Sequence, residues 1–126
     1  MGDNQDKVSF MSGKEIKIDL LYFDDCPSWK QGLENLRAAL TAEKVDAEIH
    51  LVRVESDAEA AKEKFLGSPS FRIDGQDLWP EERQTYHLGC RIYATEGGLR
   101  GFPTPEMLRK KIHDTMIVSG RLQTTP

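Results

Sequence analysis

The sequence predicts an α/β fold in which helices flank a mixed central β-sheet, in the order βαβα, β-hairpin, α. Three patterns lead to this prediction. Two short apolar runs are typical of buried strands, and each precedes a segment with helical spacing of apolar residues. An Asp-Gly pair between alternating residues then indicates a hairpin. The 126 residues, of which 38% are hydrophobic, suffice for one domain with a single core.

The first strand and the first helix are predicted side by side. Residues 16–23, "IKIDLLYF", form an apolar run typical of a strand that is buried on both faces. A helix over residues 27–42 follows, in which Pro27 suits the first turn because its missing N–H has no helical partner there. The apolar stripe of this helix recurs at spacings of four, three and four: Trp29, Leu33, Leu36 and Leu40.

A second strand and helix repeat this arrangement. Residues 47–54, "AEIHLVRV", read as a strand, and Ser56 and Glu59 then have the spacing of a capping box. We expect Gly67 to end this helix in the left-handed conformation. The inward-facing residues of the helix are predicted to be Ala58, Ala61 and Phe65.

The rest of the domain is a hairpin and a final helix. Residues 70–79, "SFRIDGQDLW", predict a hairpin that turns at Asp74-Gly75, and a short strand pair is expected in "CRIYATEGGLRGF". Thr104 is predicted to cap the last helix, with Pro105 at its first position. The buried face of this helix is predicted to carry Leu108, Ile112 and Met116.

The sequence also predicts the bounds of the domain, its classes of partner and its location. The domain is predicted over residues 14–118, between a disordered extension (1–13) and a flexible tail (119–126). The net charge of −4 argues against nucleic acid or an anionic membrane as the main partner. Without an apolar stretch of about 18 residues or a secretory leader, the expected location is the cytoplasm. The sequence predicts no oligomeric state.

Cys26 is the first candidate for chemistry. It follows a central strand and precedes a helix, where reactive groups collect in open α/β sheets. The helix N-terminus favours its thiolate by about 0.3–1 kcal/mol. Asp24 and Asp25 oppose the thiolate if they face it, although strand alternation lets at most one of them lie close. The alternative is that Cys26 is a small buried residue at the strand-helix corner.

The segments "YFDDCPSW" and "GSPSFRIDG", with a closing helix, resemble the thioredoxin-like superfamily of small redox proteins over residues 16–117. The resemblance implies that Cys26 is the nucleophile of a C-x-x-C-type motif and that the Ser68-Pro69 bond is cis. It further implies a binding groove lined by Pro27, Trp29, Ser68 and Pro69.

The chain departs from the superfamily pattern at Trp29, which occupies the position of the resolving cysteine. Trp29 is also explained as the first residue of the apolar stripe. A C-x-x-W motif cannot release a mixed disulfide by internal attack, so an external thiol or Cys90 must do so, or no exchange occurs. Cys90 either approaches Cys26 near the cis-proline or points inward from the strand "CRIY", alternating with Ile92.

The motifs D-C-P-x-W and C-R-x-Y together are similar to a subgroup of short bacterial thioredoxin-like proteins, some linked by name to alkylmercury lyase. That likeness implies mercury handling by Cys26, Cys90 and an acid such as Asp25. His87, three residues before Cys90, adds a three-ligand soft-metal site as an alternative. We predict neither a cofactor nor a resident metal.

The leading hypothesis is a cytoplasmic thioredoxin-like thiol protein in which Cys26 attacks and Cys90 resolves. The predicted activity is thiol-disulfide oxidoreductase, and the predicted partner is a protein or small-molecule thiol or disulfide. A non-catalytic thioredoxin-like binding module is the alternative from another functional class, and handling of mercury or another soft metal is the third.

Overall fold

The computed structural model of the protein describes residues 5–8 and 15–118. A five-stranded sheet has the order β1-β3-β2-β4-β5. Its strands are β1 (Gln5–Val8), β2 (Glu15–Tyr22), β3 (Asp46–Arg53), β4 (Ser70–Ile73) and β5 (Gln76–Asp77). A separate pair is formed by β6 (Tyr93–Thr95) and β7 (Gly98–Arg100). The helices are α1 (Trp29–Glu43), α2 (Asp57–Glu63) and α3 (Pro105–Val118).

The sheet is mixed. Strands β2 and β3 are parallel and joined through α1, whereas β4 runs antiparallel to β2 and continues into the β4-β5 hairpin. The α/β fold class predicted from the sequence is therefore confirmed, with its mixed sheet, its β-hairpin and its C-terminal helix packed on α1. No helix in the described ranges is long and apolar enough to cross a membrane.

The core has one large layer and one small layer, on opposite faces of the sheet. The large layer packs α1 and α3 against β2, β3 and β4 and contains Ile18, Leu36 and Ile112, all fully buried. The small layer lies under α2 and contains Leu21, Val54, Ala60 and Phe65. Alternation along β2 explains this division, because Ile18 and Leu20 face one layer and Leu21 faces the other.

The edge of the sheet differs from the sequence-based expectation. Gln5–Val8, within the predicted disordered extension, form β1 and pair antiparallel with β3 from Ala47 to His50. Pairing of backbone groups requires no apolar pattern of its own, which is why composition did not reveal this strand. The predicted flexible tail, residues 119–126, lies outside the described residues.

The start of α1 is later than predicted. The helix begins at Trp29, after Ser28, and Pro27 lies in the turn before it. The backbone N–H of Cys26 donates to the carbonyl of Phe23 at 3.1 Å and closes the preceding turn, over residues 23–26. The buried stripe of Leu33, Leu36 and Leu40 is nevertheless confirmed.

Helix α2 required two corrections. Ala60 is buried, whereas the predicted inward residues Ala58 and Ala61 are exposed. The helix ends at Lys64, which adopts the left-handed conformation (φ 53°), and not at Gly67. The early end lets the chain turn and insert Phe65 into the small core layer, where it is fully buried. Ser56 caps the helix as predicted, accepting from the Glu59 N–H at 3.1 Å.

The later elements agree with the prediction. The β4-β5 hairpin turns at Asp74 and Gly75, which both have positive φ, at 53° and 82°. Thr104 caps α3 by accepting a hydrogen bond from the Met107 N–H at 3.1 Å. The buried face of α3 consists of Leu108, Ile112 and Met116.

Candidate functional site

Cys26 lies in the turn between β2 and α1, at the carboxyl end of a central strand. Its side chain is only 4% exposed. The thiol points across the turn and donates to the carbonyl oxygen of Ser68 at 3.5 Å. In return, the backbone N–H of Phe23 donates to the Ser68 hydroxyl at 3.4 Å. The turn that carries Cys26 is thus held against Ser68.

The Ser68-Pro69 bond is cis, as the superfamily resemblance implies. Both residues are buried, and Pro69 packs against α1 at Gly32. A β-carbon at Gly32 would lie 2.9 Å from the Pro69 ring, so only glycine allows this approach. The close packing of α1 on the cis-proline keeps the Cys26 turn and Ser68 side by side.

Residues 89–93, which we call the Cys90 strap, run past Ser68 as a short parallel bridge. The Ser68 N–H donates to the Gly89 carbonyl at 2.8 Å, and the Arg91 N–H donates to the Ser68 carbonyl at 3.0 Å. Cys90 therefore lies directly opposite Ser68. Because Cys26 bonds to the same Ser68 carbonyl, the strap brings the two cysteines together.

The Cys90 thiol lies near enough to the Cys26 thiol for the two groups to affect each other's ionisation. Both cysteines are free thiols, and Cys90 is exposed whereas Cys26 is buried. Partial burial raises the pKa of Cys90, and the nearby Cys26 raises it further through its charge and its hydrogen bond. The prediction that Cys90 approaches Cys26 near the cis-proline agrees with this geometry.

The alternative prediction for Cys90 was wrong about its direction. Cys90 and Ile92 do alternate with their neighbours, but they point outward, and Ile92 is 66% exposed. The inward positions of the strap are occupied by Arg91 and Tyr93. The Tyr93 hydroxyl donates to the Pro69 carbonyl at 2.6 Å, which ties this end of the strap to the cis-proline.

Arg91 was not identified from the sequence as a site residue. Its guanidinium is 5% exposed and lies 2.9 and 3.0 Å from the two carboxylate oxygens of Asp77. It also donates to the Ser70 hydroxyl at 3.2 Å and to the Trp79 carbonyl. The sequence did contain a signal for it. Alternation in "CRIY" puts the arginine on the same side as Tyr93, and an arginine that faces the core needs an acidic partner.

The other predicted groove residues differ in accessibility. Pro27 is exposed, and Trp29 is half-buried. The Trp29 ring stacks on Tyr22, with 4.0 Å between the ring centroids and an interplanar angle of 25°. Trp29 thus extends the large core layer, as its place in the apolar stripe predicts.

The acidic candidates and the candidate metal ligand His87 are all exposed side chains. Asp24 and Asp25 are exposed, and Asp24 pairs with Arg53 at 3.3 Å. This ion pair directs the Asp24 carboxylate toward β3. His87 is exposed, and the described part of the chain contains no group of three or more His, Cys, Asp or Glu side chains arranged to hold a metal ion.

Comparison of the chain with protein-family models, with curated proteins and with solved structures finds no significant match in any of the three. The function is therefore inferred from the geometry around Cys26, Ser68 and Cys90.

Proposed function

We propose that the protein is a thioredoxin-like thiol-disulfide exchange protein whose redox pair is Cys26 and Cys90. The observation that carries this proposal is the approach of the two cysteines at Ser68, because the Cys26 thiol and the backbone N–H of Arg91 both donate to the Ser68 carbonyl and Cys90 lies opposite Ser68. A disulfide needs β-carbons about 3.5–4.5 Å apart, so two cysteines that are distant in sequence form one only when the fold brings them together. Here Cys90 supplies the second thiol that position 29 lacks.

The difference in exposure favours an order of reaction opposite to the one expected from the sequence. Cys90 is exposed and Cys26 is buried, so an external disulfide meets Cys90 first. The Cys90 thiolate attacks one sulfur of the external disulfide, forming a mixed disulfide and releasing one thiolate. The Cys26 thiolate then attacks the Cys90 sulfur, forming the Cys26–Cys90 disulfide and releasing the second thiol. Two electrons pass from the pair to the external disulfide, and the two protons lost by the pair end on the released thiols.

The raised pKa of Cys90 argues against a strongly oxidising couple. A thiol pair becomes a strong oxidant when its reduced form is stabilised as a thiolate. Burial and Cys26 raise the pKa of Cys90, so its thiolate gains no such stabilisation. The same shift leaves most of Cys90 protonated at neutral pH, and its attack accelerates as the pH rises.

The test is oxidation in graded mixtures of oxidised and reduced glutathione, followed by peptide-mapped mass spectrometry. We expect the wild type to form the Cys26–Cys90 disulfide. Cys26→Ser should accumulate a glutathione adduct on Cys90, and Cys90→Ser should stay largely unmodified because Cys26 is buried. The two variants are matched controls, since each removes one sulfur from the same contact.

Two outcomes would contradict parts of this proposal. An adduct on Cys26 in Cys90→Ser, without one on Cys90 in Cys26→Ser, would restore Cys26 as the attacking residue. If the wild type forms no Cys26–Cys90 disulfide at any glutathione ratio, the redox function fails. The non-catalytic binding module would then be the better hypothesis, and the burial of Cys26 would agree with it.

The same contact favours a second candidate, binding of a soft metal ion such as Hg(II) by two thiolates. Thiolates are the ligands that soft metals prefer, and the described residues supply no third ligand beside the pair. Protection of both thiols by one equivalent of Hg(II), without reduction of any disulfide substrate, would support this candidate over the redox function.

A further inference from the structure

We infer that Arg91 is a positioning residue that holds the Cys90 sulfur against Cys26. This inference rests on the proposed function, because it assigns Arg91 a role in the redox pair. The link is the Cys90 strap. Arg91 is the next residue after Cys90, and its buried guanidinium attaches the strap to the sheet at Asp77 and Ser70.

The attachment is made by charged and polar groups on the β4-β5 hairpin and the segment after it. Asp77 on β5 receives two hydrogen bonds from Arg91, Ser70 on β4 receives one, and the Trp79 carbonyl receives another. Arg91 and Asp77 are both more than nine-tenths buried. Separating such a pair leaves two uncompensated buried charges, which costs free energy. A displacement of the strap that pulls Arg91 away from Asp77 is therefore unfavourable.

The backbone of Arg91 connects this anchor to the thiols. Its N–H donates to the Ser68 carbonyl, which is also the acceptor of the Cys26 thiol. Gly67 permits this approach, since a β-carbon there would lie 2.9–3.0 Å from the Arg91 backbone and side chain, and its φ is 114°. The position of Arg91 is therefore set by the contacts of its guanidinium, by the hydrogen bond of its backbone N–H, and by the space that Gly67 leaves.

Alternation then determines where Cys90 points. With Arg91 and Tyr93 held inward, the intervening Ile92 and the preceding Cys90 must face outward. A one-residue slip of the strap would bury Cys90 and separate it from Cys26. Anchoring Arg91 thus fixes both the exposure of Cys90 and its contact with the second thiol.

The test uses Arg91→Lys, which keeps the positive charge beside Asp77 but loses the forked geometry of the guanidinium. The first readout is the equilibrium between the Cys26–Cys90 disulfide and dithiothreitol. We expect the disulfide of Arg91→Lys to be less favoured by on the order of tenfold, because a looser strap lowers the effective concentration of one thiol at the other. The second readout is the alkylation rate of Cys26 in the reduced protein, which should rise as the strap uncovers it.

A variant remote from the strap controls for a general loss of stability. Ile112→Val trims the buried face of α3, and at an equal loss of stability it should move neither readout. If Arg91→Lys prevents folding, the double variant Asp77→Leu/Arg91→Met takes its place in the test. It replaces the ion pair with apolar side chains, so the strap loses this attachment without leaving a buried charge.

The outcomes separate this inference from the proposed function. Unchanged disulfide equilibrium and unchanged Cys26 alkylation in a folded Arg91 variant would overturn the positioning role. If the wild type forms no disulfide, the proposed function fails, and the alkylation rate alone decides whether Arg91 holds Cys90 over Cys26.

Discussion

The residues of the site differ in burial, and burial decides which sulfur an external reactant can reach. Cys26, Ser68 and Arg91 are buried, whereas Cys90 is exposed. A buried thiol meets few external reactants but can still attack a neighbouring sulfur. The pair therefore combines one accessible sulfur with one protected sulfur, which suits an exchange reaction that ends in an internal disulfide.

Trp29 occupies the position that holds the resolving cysteine in the superfamily pattern, but its contacts explain it as a structural residue that packs on Tyr22. We expect Trp29→Ala to lower the free energy of unfolding by about 2 kcal/mol, below the 3–5 kcal/mol of a fully buried tryptophan, because Trp29 is half-buried. Trp29→Phe, which keeps an aromatic ring on Tyr22, should lose less than half as much. Urea unfolding measures both changes.

The redox equilibrium of Cys26 and Cys90 provides the corresponding control. It should be unaffected in the two Trp29 variants, since the ring packs on Tyr22. A variant with normal stability but slower exchange would instead place Trp29 in the groove that binds the substrate.

Among the elements, the Cys90 strap shows how a segment with little regular structure can be fixed in place. It shares one isolated bridge with Ser68 and continues into β6. Besides its two backbone hydrogen bonds with Ser68, the strap is held by side-chain hydrogen bonds from Arg91 to Asp77 and from Tyr93 to Pro69. We therefore expect the strap to be displaced by single substitutions at Arg91 or Tyr93.

We expect Tyr93→Phe to test the second anchor of the strap. Loss of its hydrogen bond to the buried Pro69 carbonyl should lower the free energy of unfolding by about 1 kcal/mol at pH 7. Burial raises the pKa of the Tyr93 hydroxyl, so the folded protein binds this proton more tightly than the unfolded chain does. The resulting stabilisation is fully present below about pH 10, the pKa of an unfolded tyrosine, and is lost as the pH rises above it.

Urea unfolding between pH 7 and pH 11 distinguishes the two effects of this substitution. The difference between the wild type and Tyr93→Phe should shrink above pH 10, because only the wild type loses the contribution of this hydroxyl. A difference that stays constant up to pH 11 would show that Tyr93 titrates normally.

At the scale of the whole molecule, the proposed redox pair joins distant parts of the chain. Cys26 follows β2, Cys90 precedes β6, and the two are 64 positions apart (90 − 26 = 64). The intervening residues include α1, β3, α2 and the β4-β5 hairpin. Oxidation of the pair would therefore restrict most of the domain in its unfolded state.

We expect the oxidised protein to be more stable than the reduced protein by about 4 kcal/mol, since a disulfide that closes a loop of this length removes a corresponding entropy from the unfolded chain. Urea unfolding with and without reductant measures the difference. A Cys26→Ser/Cys90→Ser variant should show no dependence on reductant. An oxidised protein that is less stable than the reduced one would show that the disulfide strains the folded state.

Much of the fold and part of the site followed from local patterns. The period of apolar residues predicted β2, β3, α1 and α3, and Asp74-Gly75 predicted the hairpin, because these signals depend on neighbours within a few positions. The boundaries at Pro27 and Gly67 were missed because tertiary packing decided where the helices stop and start. The cis bond before Pro69 came from the resemblance, since an X-Pro dipeptide alone is cis in only about 5–6% of cases.

By itself, then, the sequence determined the α/β order, the buried faces of the helices and the position of Cys26 at the end of a central strand. Only the tertiary structure decided that Cys90 and Cys26 both lie at Ser68, that Cys90 is the exposed member of the pair, and that Arg91 and Asp77 anchor the strap to β5. The physical reason is sequence distance. Helical and strand periods act between near neighbours, whereas a contact between residues 26 and 90 exists only after the sheet has formed and Gly67 has let the strap approach Ser68.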